Sequence, residues 1–392
     1  MTVSTRDPIA EVVPAVVSWR RHLHQHPELS FHEHETAAYV ENVLRSFSGL
    51  EISRPTQTSV LAVLKGEAGP GKTVLLRADM DALPIQEEND FEFTSSKPGV
   101  MHACGHDGHT AMLLGAVKVL SEMRSELSGE IRFIFQHAEE LFPGGAQEVV
   151  DAGVMNGVDL AVGAHLISLV PTGLIAVKAG ALMAAPDTFD IKVRGRGGHA
   201  ASPHETVDPI LIAAHVVTNL QSIVSRQLNP IEPLVVSVTQ FHAGTADNVI
   251  PETVQIGGTV RSFDPALREQ VPGWMERIVK GLTEAHGASY EFAYQQGYRA
   301  VINDAEVTAR LQDVVRDTLG AERLLEAKPT MGGEDFSAYM TKAPGAFFFI
   351  GAGNAEAGIT APHHHPKFTV DEASFEAGVR VLVETGRRFS GA

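Results

Sequence analysis

The sequence predicts an α/β protein: a mostly parallel sheet flanked by helices, with a second, inserted βαββαβ domain of ferredoxin-like order. Three observations carry this. At 392 residues the chain exceeds one ordinary hydrophobic core, so two domains are expected. Strand-length apolar runs alternate with helical patterns at both ends of the chain. The middle carries a different, self-contained order of elements.

In chain order, Pro14–Phe47 reads as helix with a polar, His-rich interruption at His22–Glu33. Ser59–Lys65, Thr73–Arg77, Ile131–Phe135 and Asp159–Ala164 are apolar and of strand length. Between them Thr110–Met123 repeats apolar residues at helical spacing (Met112, Leu113, Ala116, Val117, Leu120), and Gly145–Ala152 is a second helical pattern. Ala346–Ile350 is a late strand and Ser374–Arg388 a closing helix. In the middle, Asp187–Val193, Leu234–Phe241, Thr253–Phe263 and Ser289–Gln295 read as strands, and Asp208–Gln227 and Pro265–His286 as helices. That order is one complete βαββαβ unit. The expected division is residues 1–185 with 298–392 as one discontinuous domain and 186–297 as the insertion.

The totals exclude several functions. A formal charge of −17 argues against a nucleic-acid binder. No apolar run approaches the roughly 18 residues a membrane span needs. Met1–Glu11 has charges and no apolar core of a secretory signal. A single cysteine rules out an internal disulfide framework and suits a reducing, cytoplasmic setting.

That cysteine lies in M-H-A-C-G-H-D-G-H-T, residues 101–110, a loop feeding a helix. Cys104 and His106 are two apart, so in an extended loop both can face one point, and thiolate and imidazole are first-choice ligands for zinc and its neighbours. The alternative is a buried free cysteine near unrelated histidines; His102, His109 and Asp107 close by favour a metal. In open parallel sheets functional groups collect beyond the carboxyl ends of the strands. Asp79 and Asp81, Glu139 and Glu140, His165 and the His363–His365 run all follow strand ends. The Glu139–Glu140 pair can supply one carboxylate to a metal and one for proton transfer; it can also be a charge pair favoured by a helix dipole. His199, in R-G-R-G-G-H-A, sits among glycines that let the backbone turn sharply, and a simple turn explains it equally well. Asn248 at a loop tip and Asp335 at a helix start have conformational explanations too.

Taken together these stretches resemble the two-metal aminoacylase and carboxypeptidase-G-like metallopeptidases. Within them the chain is most similar to the amidohydrolase branch of hippurate hydrolases, N-acyl-amino-acid deacylases and auxin-conjugate hydrolases. The matching stretches are W-R-R-H-L-H-Q-H-P-E-L-S-F (19–31), R-A-D-M-D-A-L-P (77–84), H-A-C-G-H-D-G-H-T (102–110), Q-H-A-E-E (136–140), G-G-H-A (197–200), G-T-A-D-N-V-I-P (244–251), G-G-E-D-F (332–336) and H-H-P-K-F (364–368), in the family's order. The resemblance implies a Zn-peptidase-like catalytic domain with an inserted lid and dimerisation domain. It implies two divalent metal ions (zinc, manganese, cobalt or nickel) held by Cys104, His106, Glu140, His165 and His364. Glu139 takes the place of the general base acting on a metal-activated water. Asp81 takes that of a carboxylate orienting a ligand histidine, where the wider family has a metal-binding histidine at the position of Asp79. His199 matches a lid histidine reaching the substrate carbonyl, from the partner subunit in many dimers, and Asn248 a similar substrate contact. The implied substrate is a small N-acyl amino acid (acetyl, benzoyl or indole-acetyl), with a dipeptidase or carboxypeptidase, or a non-catalytic binding protein, as alternatives. A homodimer or higher homo-oligomer is implied, with neither nucleic acid nor membrane as partner. The chain departs from relatives at His137, usually proline, at His363, usually apolar, and at Arg299, often proline; three consecutive histidines leave His364 chosen only by its place two before Pro366.

Overall fold

The computed structural model describes residues 7–391, so the start of the Met1–Glu11 stretch, Met1–Arg6, lies outside the described residues. The elements follow in the order α1 (Pro8–Gln25), α2 (His34–Arg45), β1 (Leu50–Ser53), β2 (Val60–Lys65), β3 (Thr73–Asp79), α3 (His106–Glu122), β4 (Glu130–Gln136), α4 (Gly145–Asp151), β5 (Leu160–Pro171), β6 (Ile175–Val177), β7 (Gly180–Met183) and β8 (Ala185–Arg194). There follow β9 (Gly198–His199), α5 (Pro209–Ser222), β10 (Leu234–Ala243), β11 (Val249–Ile250), β12 (Thr253–Ser262), α6 (Pro265–Ala285), β13 (Ser289–Gln295) and β14 (Val301–Asn303). The chain closes with α7 (Ala305–Leu319), β15 (Leu324–Glu326), β16 (Gly345–Gly353) and α8 (Ser374–Ser390). They form two compact units. The first comprises the chain up to Leu182, Ile302–Lys328 and the chain from Asp335 on; the second comprises Met183–Val301 and Pro329–Glu334.

The first unit is built on an eight-stranded sheet ordered β1-β2-β4-β3-β5-β16-β6-β15. The central pairs β4/β3, β3/β5 and β5/β16 are parallel, as the alternating pattern predicts. β1 runs antiparallel to β2, β2 to β4 and β6 to β16, and β15 pairs in parallel with β6. β3 is buried along nearly its whole length, which is why it reads as a continuous apolar run rather than an alternation. α3 is buried on nearly every side. Leu113, Val117 and Leu120 are fully buried there and each contributes about 1.5–3 kcal/mol of apolar burial. Gly115 makes the packing possible: a Cβ there would stand 2.6 Å from Val16 of α1 and 3.2 Å from Val379 of α8.

The boundaries differ from expectation in instructive ways. α1 starts at Pro8, not Pro14, because Asp7 accepts the N–H of Ile9 at 3.0 Å and Pro8 takes the first helical position. α3 starts at His106 rather than Thr110, so Cys104 and His106 are not two residues of an extended loop. Gly105 between them has φ +96°, and this turn, open to glycine, replaces the extended geometry. β5 runs on past His165 to Pro171 because β16 pairs along it.

The second unit holds a four-stranded antiparallel sheet ordered β10-β12-β8-β13. With α5 and α6 between its strands this is the ferredoxin-like order. β8 alternates, burying Phe189, Ile191 and Val193. These pack with Ile212, Val216 and Leu220 of α5 and Val271, Met275 and Val279 of α6. Pro329–Glu334, expected with the first unit, packs here: Ala184 N–H donates to the carbonyls of Thr330 and Gly332 at 3.2 and 3.0 Å.

Candidate metal centre

The donor set forms where β3, the turn before α3, the loop after β4, the middle of β5 and the loop after β16 converge in the first unit. Cys104 Sγ lies 3.4 Å from His165 Nε2. His165 Nδ1–H donates to the carbonyl of Leu166 at 2.6 Å, which leaves Nε2 as a lone pair facing the sulfur. His106 Nδ1–H is shared between the backbone carbonyl of Asp81 (2.9 Å) and its Oδ1 (3.2 Å), so its Nε2 is the nitrogen turned to the other ligands. Glu140 Oε1 stands 3.2 Å from His364 Nε2 and 3.9 Å from His106 Nε2.

Single points within reach of several ligand atoms recur. Cys104, His106 and His165 form one such group, Cys104, Glu140 and His364 a second, and His106, Glu139 and Glu140 a third. Cys104, His106 and Glu140 each belong to two of these three groups. Of the three consecutive histidines, His364 faces Glu140. His363 is turned inward, with Nδ1 3.8 Å from Cys104 Sγ and Nε2 accepting the Ser168 N–H at 3.4 Å. His365 Nδ1 accepts the N–H of Lys367 at 3.0 Å.

The residues around this set are committed elsewhere. His109 holds Asp79 Oδ1 with Nδ1 at 2.6 Å and accepts the Leu166 N–H with Nε2 at 2.8 Å, so neither nitrogen is available. Asp107 pairs with Arg20 and His24, each at 2.8 Å. Of the three histidines in the stretch 101–110, only His106 joins the donor set. Asp79 takes no ligand's place: Arg77 Nη1 donates to it at 2.6 Å, and the same guanidinium reaches Asp335 at 2.8 Å and Gln136 at 2.8 Å. Asp335 caps no helix of its own; it accepts the Ala146 N–H of α4 at 3.0 Å. His137, where relatives carry proline, is buried against Phe31 and pairs with Glu148 at 3.1 Å.

The chemistry of the site fits cations. His106 Nε2 is a buried polar atom without a hydrogen-bond partner and Glu140 Oε1 has only the His364 ring, 3.2 Å away, an expensive state unless something else is bound there. Without a metal, burial opposes charge on His106, but Asp79, Asp81 and Glu140 outweigh it and raise the imidazole to about 10, so Nε2 then holds a proton that a bound cation would displace. Burial, then the Glu140 and Glu139 carboxylates, push the Cys104 thiol well above its usual range. Burial and the neighbouring His109 and His363 hold His165 neutral. A cluster that is this rich in carboxylate and thiol, with imidazole lone pairs aimed inward, balances its charge with divalent ions.

Asp81 connects this set to Glu139. Its Oδ1 accepts the Glu139 N–H at 3.0 Å and its Oδ2 the Glu140 N–H at 2.9 Å and the Ser30 hydroxyl at 2.7 Å. Glu139 is buried. His199 and Asn248 lie in the second unit, on the small ribbon of β9 and β11, where the Ala200 N–H donates to the Asn248 carbonyl at 3.0 Å. His199 is exposed, and its Nδ1 accepts the Ala201 N–H at 3.0 Å, so the neutral ring carries its proton on Nε2. Residues that sequence reasoning did not single out are Glu33 and Arg77; each acts through a partner remote in sequence, and spacing holds no trace of that.

Among relatives, the N-acyl-L-amino acid amidohydrolase of Geobacillus stearothermophilus is 64% identical over 295 residues, covering 75% of this chain and 80% of that protein. Thermostable carboxypeptidase 1 of Saccharolobus solfataricus is 42% identical over 389 residues, covering 98% of each. The solved structure of the YXEP protein of Bacillus subtilis, described as a dinuclear metal-binding peptidase, superposes with a TM-score of 0.86 at 37% identity, covering 97% of this chain and 99% of that one. The model of peptidase family M20/M25/M40 matches residues 75–388. With its donor set, its fold and these likenesses in agreement, the chain belongs to peptidase family M20/M25/M40.

Proposed function

We propose that this protein is a metal-dependent hydrolase of N-acyl amino acids. Cys104, His106, Glu140, His165 and His364 hold two divalent ions, and Glu139 is the general acid–base. The observation that carries this is the convergence of His106 Nε2, a buried nitrogen without a hydrogen-bond partner, and the Glu140 carboxylate, beside a second, adjacent carboxylate whose backbone is fixed by Asp81. A metal-storage or sensing role needs the first feature and has no use for the second.

When bound, the ions supply Lewis acidity that polarises the scissile carbonyl and acidifies water. Glu139 takes a proton from the attacking water and returns it to the departing nitrogen. Asp81 keeps the lone pair of His106 aimed inward and the two glutamates in register. His199 of the second unit, with its Nε2–H outward, donates to the developing oxyanion, and Asn248 beside it contacts substrate. The second unit serves as lid and dimerisation surface; β10 is an edge strand of its sheet. Among the described residues no helix is long and apolar enough to cross a membrane, and the sole, buried thiol suits a reducing cytoplasm.

The test is Glu139→Gln. It should retain the wild-type metal content and lose roughly two to four decades in turnover of N-acetyl-, N-benzoyl- or indole-acetyl-amino acids. Near-normal turnover with full metal content refutes the assignment. Identity to a carboxypeptidase over nearly the whole chain favours a second reading, peptide cleavage. Both substrates present an amide whose nitrogen belongs to an amino acid with a free carboxylate; they differ in the acyl side. Acyl-amino acids assayed against dipeptides, with zinc, manganese, cobalt or nickel restored singly, separate the two readings and identify the metal.

A further inference from the structure

We infer that Glu33 is a positioning residue for the general base: with Asp81 it grips the three consecutive backbone N–H groups of residues 138–140 and so sets the direction of the Glu139 side chain. The inference rests on the reading that Glu139 is that base.

Glu33 lies in the link between α1 and α2, fully buried. Its Oε1 accepts the Ala138 N–H at 2.8 Å and the Phe31 N–H at 3.0 Å. Both of those residues have left-handed backbones, φ +50° at Ala138 and φ +66° at Phe31. Neither is glycine, so each is strained and persists only because its surroundings hold it. The next two amides, Glu139 and Glu140, go to the two oxygens of Asp81. Three successive N–H groups thus end on three carboxylate oxygens from two elements far away in sequence. Ala138 is the residue at which the chain turns, and its φ decides where the Cα–Cβ bond of Glu139 points. Asp81 holds the two amides beyond the turn; at the turn itself the Gly145 N–H holds the Ala138 carbonyl at 2.8 Å and Glu33 holds the Ala138 N–H. A hydrogen bond to a buried carboxyl oxygen is of the same order as the strain of one left-handed residue, so losing this contact is enough to loosen Ala138. Without it the loop relaxes toward extended backbone and the base moves, while the metal ligands, anchored by α3, β5 and the loop after β16, stay.

The experiment compares Glu33→Ala, Glu33→Gln, Glu33→Asp and Glu139→Gln in the metal-loaded full chain, with an N-acetyl-amino acid as probe. Glu33→Ala should lower kcat about 100-fold, the cost of roughly 1 Å of misplacement, with KM and metal content as in the wild type. Glu33→Gln keeps an oxygen at the same reach and should recover kcat to within about tenfold of wild type. Glu33→Asp keeps the charge but falls one methylene short, and should be slower than Glu33→Gln; this comparison stands even if Glu33→Ala fails to fold. Wild-type kcat in Glu33→Ala overturns the inference, and so does Glu33→Asp equalling or exceeding Glu33→Gln. A loss that appears only as raised KM or lost metal also overturns it, because the role is then structural. If Glu139→Gln turns over normally, the reading of the base itself has failed; if Glu139→Gln is inactive and the Glu33 variants are normal, only the positioning role has.

Discussion

Replacing Asp81 by asparagine changes one oxygen into an NH2 group in a site where every partner donates. Asp81 is buried. It receives the His106 Nδ1–H and the Glu139 N–H on Oδ1, and the Ser30 hydroxyl and the Glu140 N–H on Oδ2. Burial works against its charge, yet His106, Ser30 and the Glu140 amide outweigh burial and hold the carboxyl below its usual range. In Asp81→Asn the best placement keeps the amide oxygen toward His106 and Glu139. The NH2 then faces Ser30, whose hydroxyl can rotate to accept, and the Glu140 N–H, which cannot. One buried N–H left unsatisfied costs about 1–3 kcal/mol, and the surviving bonds lose their charge assistance. Their sum is about 3 kcal/mol in the metal-free protein. The cost to metal binding is smaller. The backbone carbonyl of Asp81 still accepts the His106 Nδ1–H at 2.9 Å, so the tautomer survives. Affinity should fall by about tenfold, the low end of the range for lost outer partners. Urea unfolding of the stripped protein and competition with a chelator measure the two effects. Stability within about 0.5 kcal/mol of wild type together with unchanged affinity refutes the reasoning, since substitutions that touch no such network fall in that range.

Two further outcomes can be checked by unfolding. In the second unit the fully buried Asp187 accepts from Arg268 Nε and Nη2, from the Tyr294 hydroxyl at 2.8 Å and from the Gly297 N–H at 2.9 Å. Arg268→Met should cost about 3–5 kcal/mol by leaving that carboxylate without its cation, and adding Asp187→Asn should recover most of it; denaturant curves for the two variants decide. Burial, then the Asp81 carboxylate, push Glu33 up from 4.5 to about 7. A carboxyl raised on folding contributes stability that is complete below pH 4.5 and is lost as the pH climbs through 7. The metal-free protein should therefore lose about 3 kcal/mol between pH 4.5 and pH 7.5 relative to Glu33→Gln. Restored divalent ions, by favouring the nearby carboxylate, should shrink the difference.

The sheet and the ferredoxin-like unit are legible in the sequence because their strands declare themselves by composition: β3 as a buried apolar run, β8 as an alternation. α7 carries readable signals that the sequence analysis leaves unused, an Asp304 cap and Val307, Leu311, Val314 and Val315 on one face. β6 and β15 are three residues each and exist only through pairing, so no local pattern announces them. At the site, Cys104 and His106 stand out by clustering, yet of the residues that strengthen that reading in the sequence, His109 and Asp107 face other partners and both ring nitrogens of the buried His102 lack a hydrogen bond. Glu33 and Arg77 are invisible for the opposite reason: their work is done on Ala138 and Asp335, and only the fold brings those residues within reach.

The interruption of the first unit also sets a timetable. β16 lies between β5 and β6 in the finished sheet, although it is among the last strands to be synthesised. The ferredoxin-like strands β8 to β13 are contiguous and can associate while the catalytic sheet still lacks its centre. His364 emerges last of the five proposed ligands, just ahead of α8. A growing chain thus presents scattered thiol, imidazole and carboxylate groups but no assembled trap, and tight capture of metal waits for the long-range pairing that is the slow step of such topologies. Loading therefore follows completion of the fold.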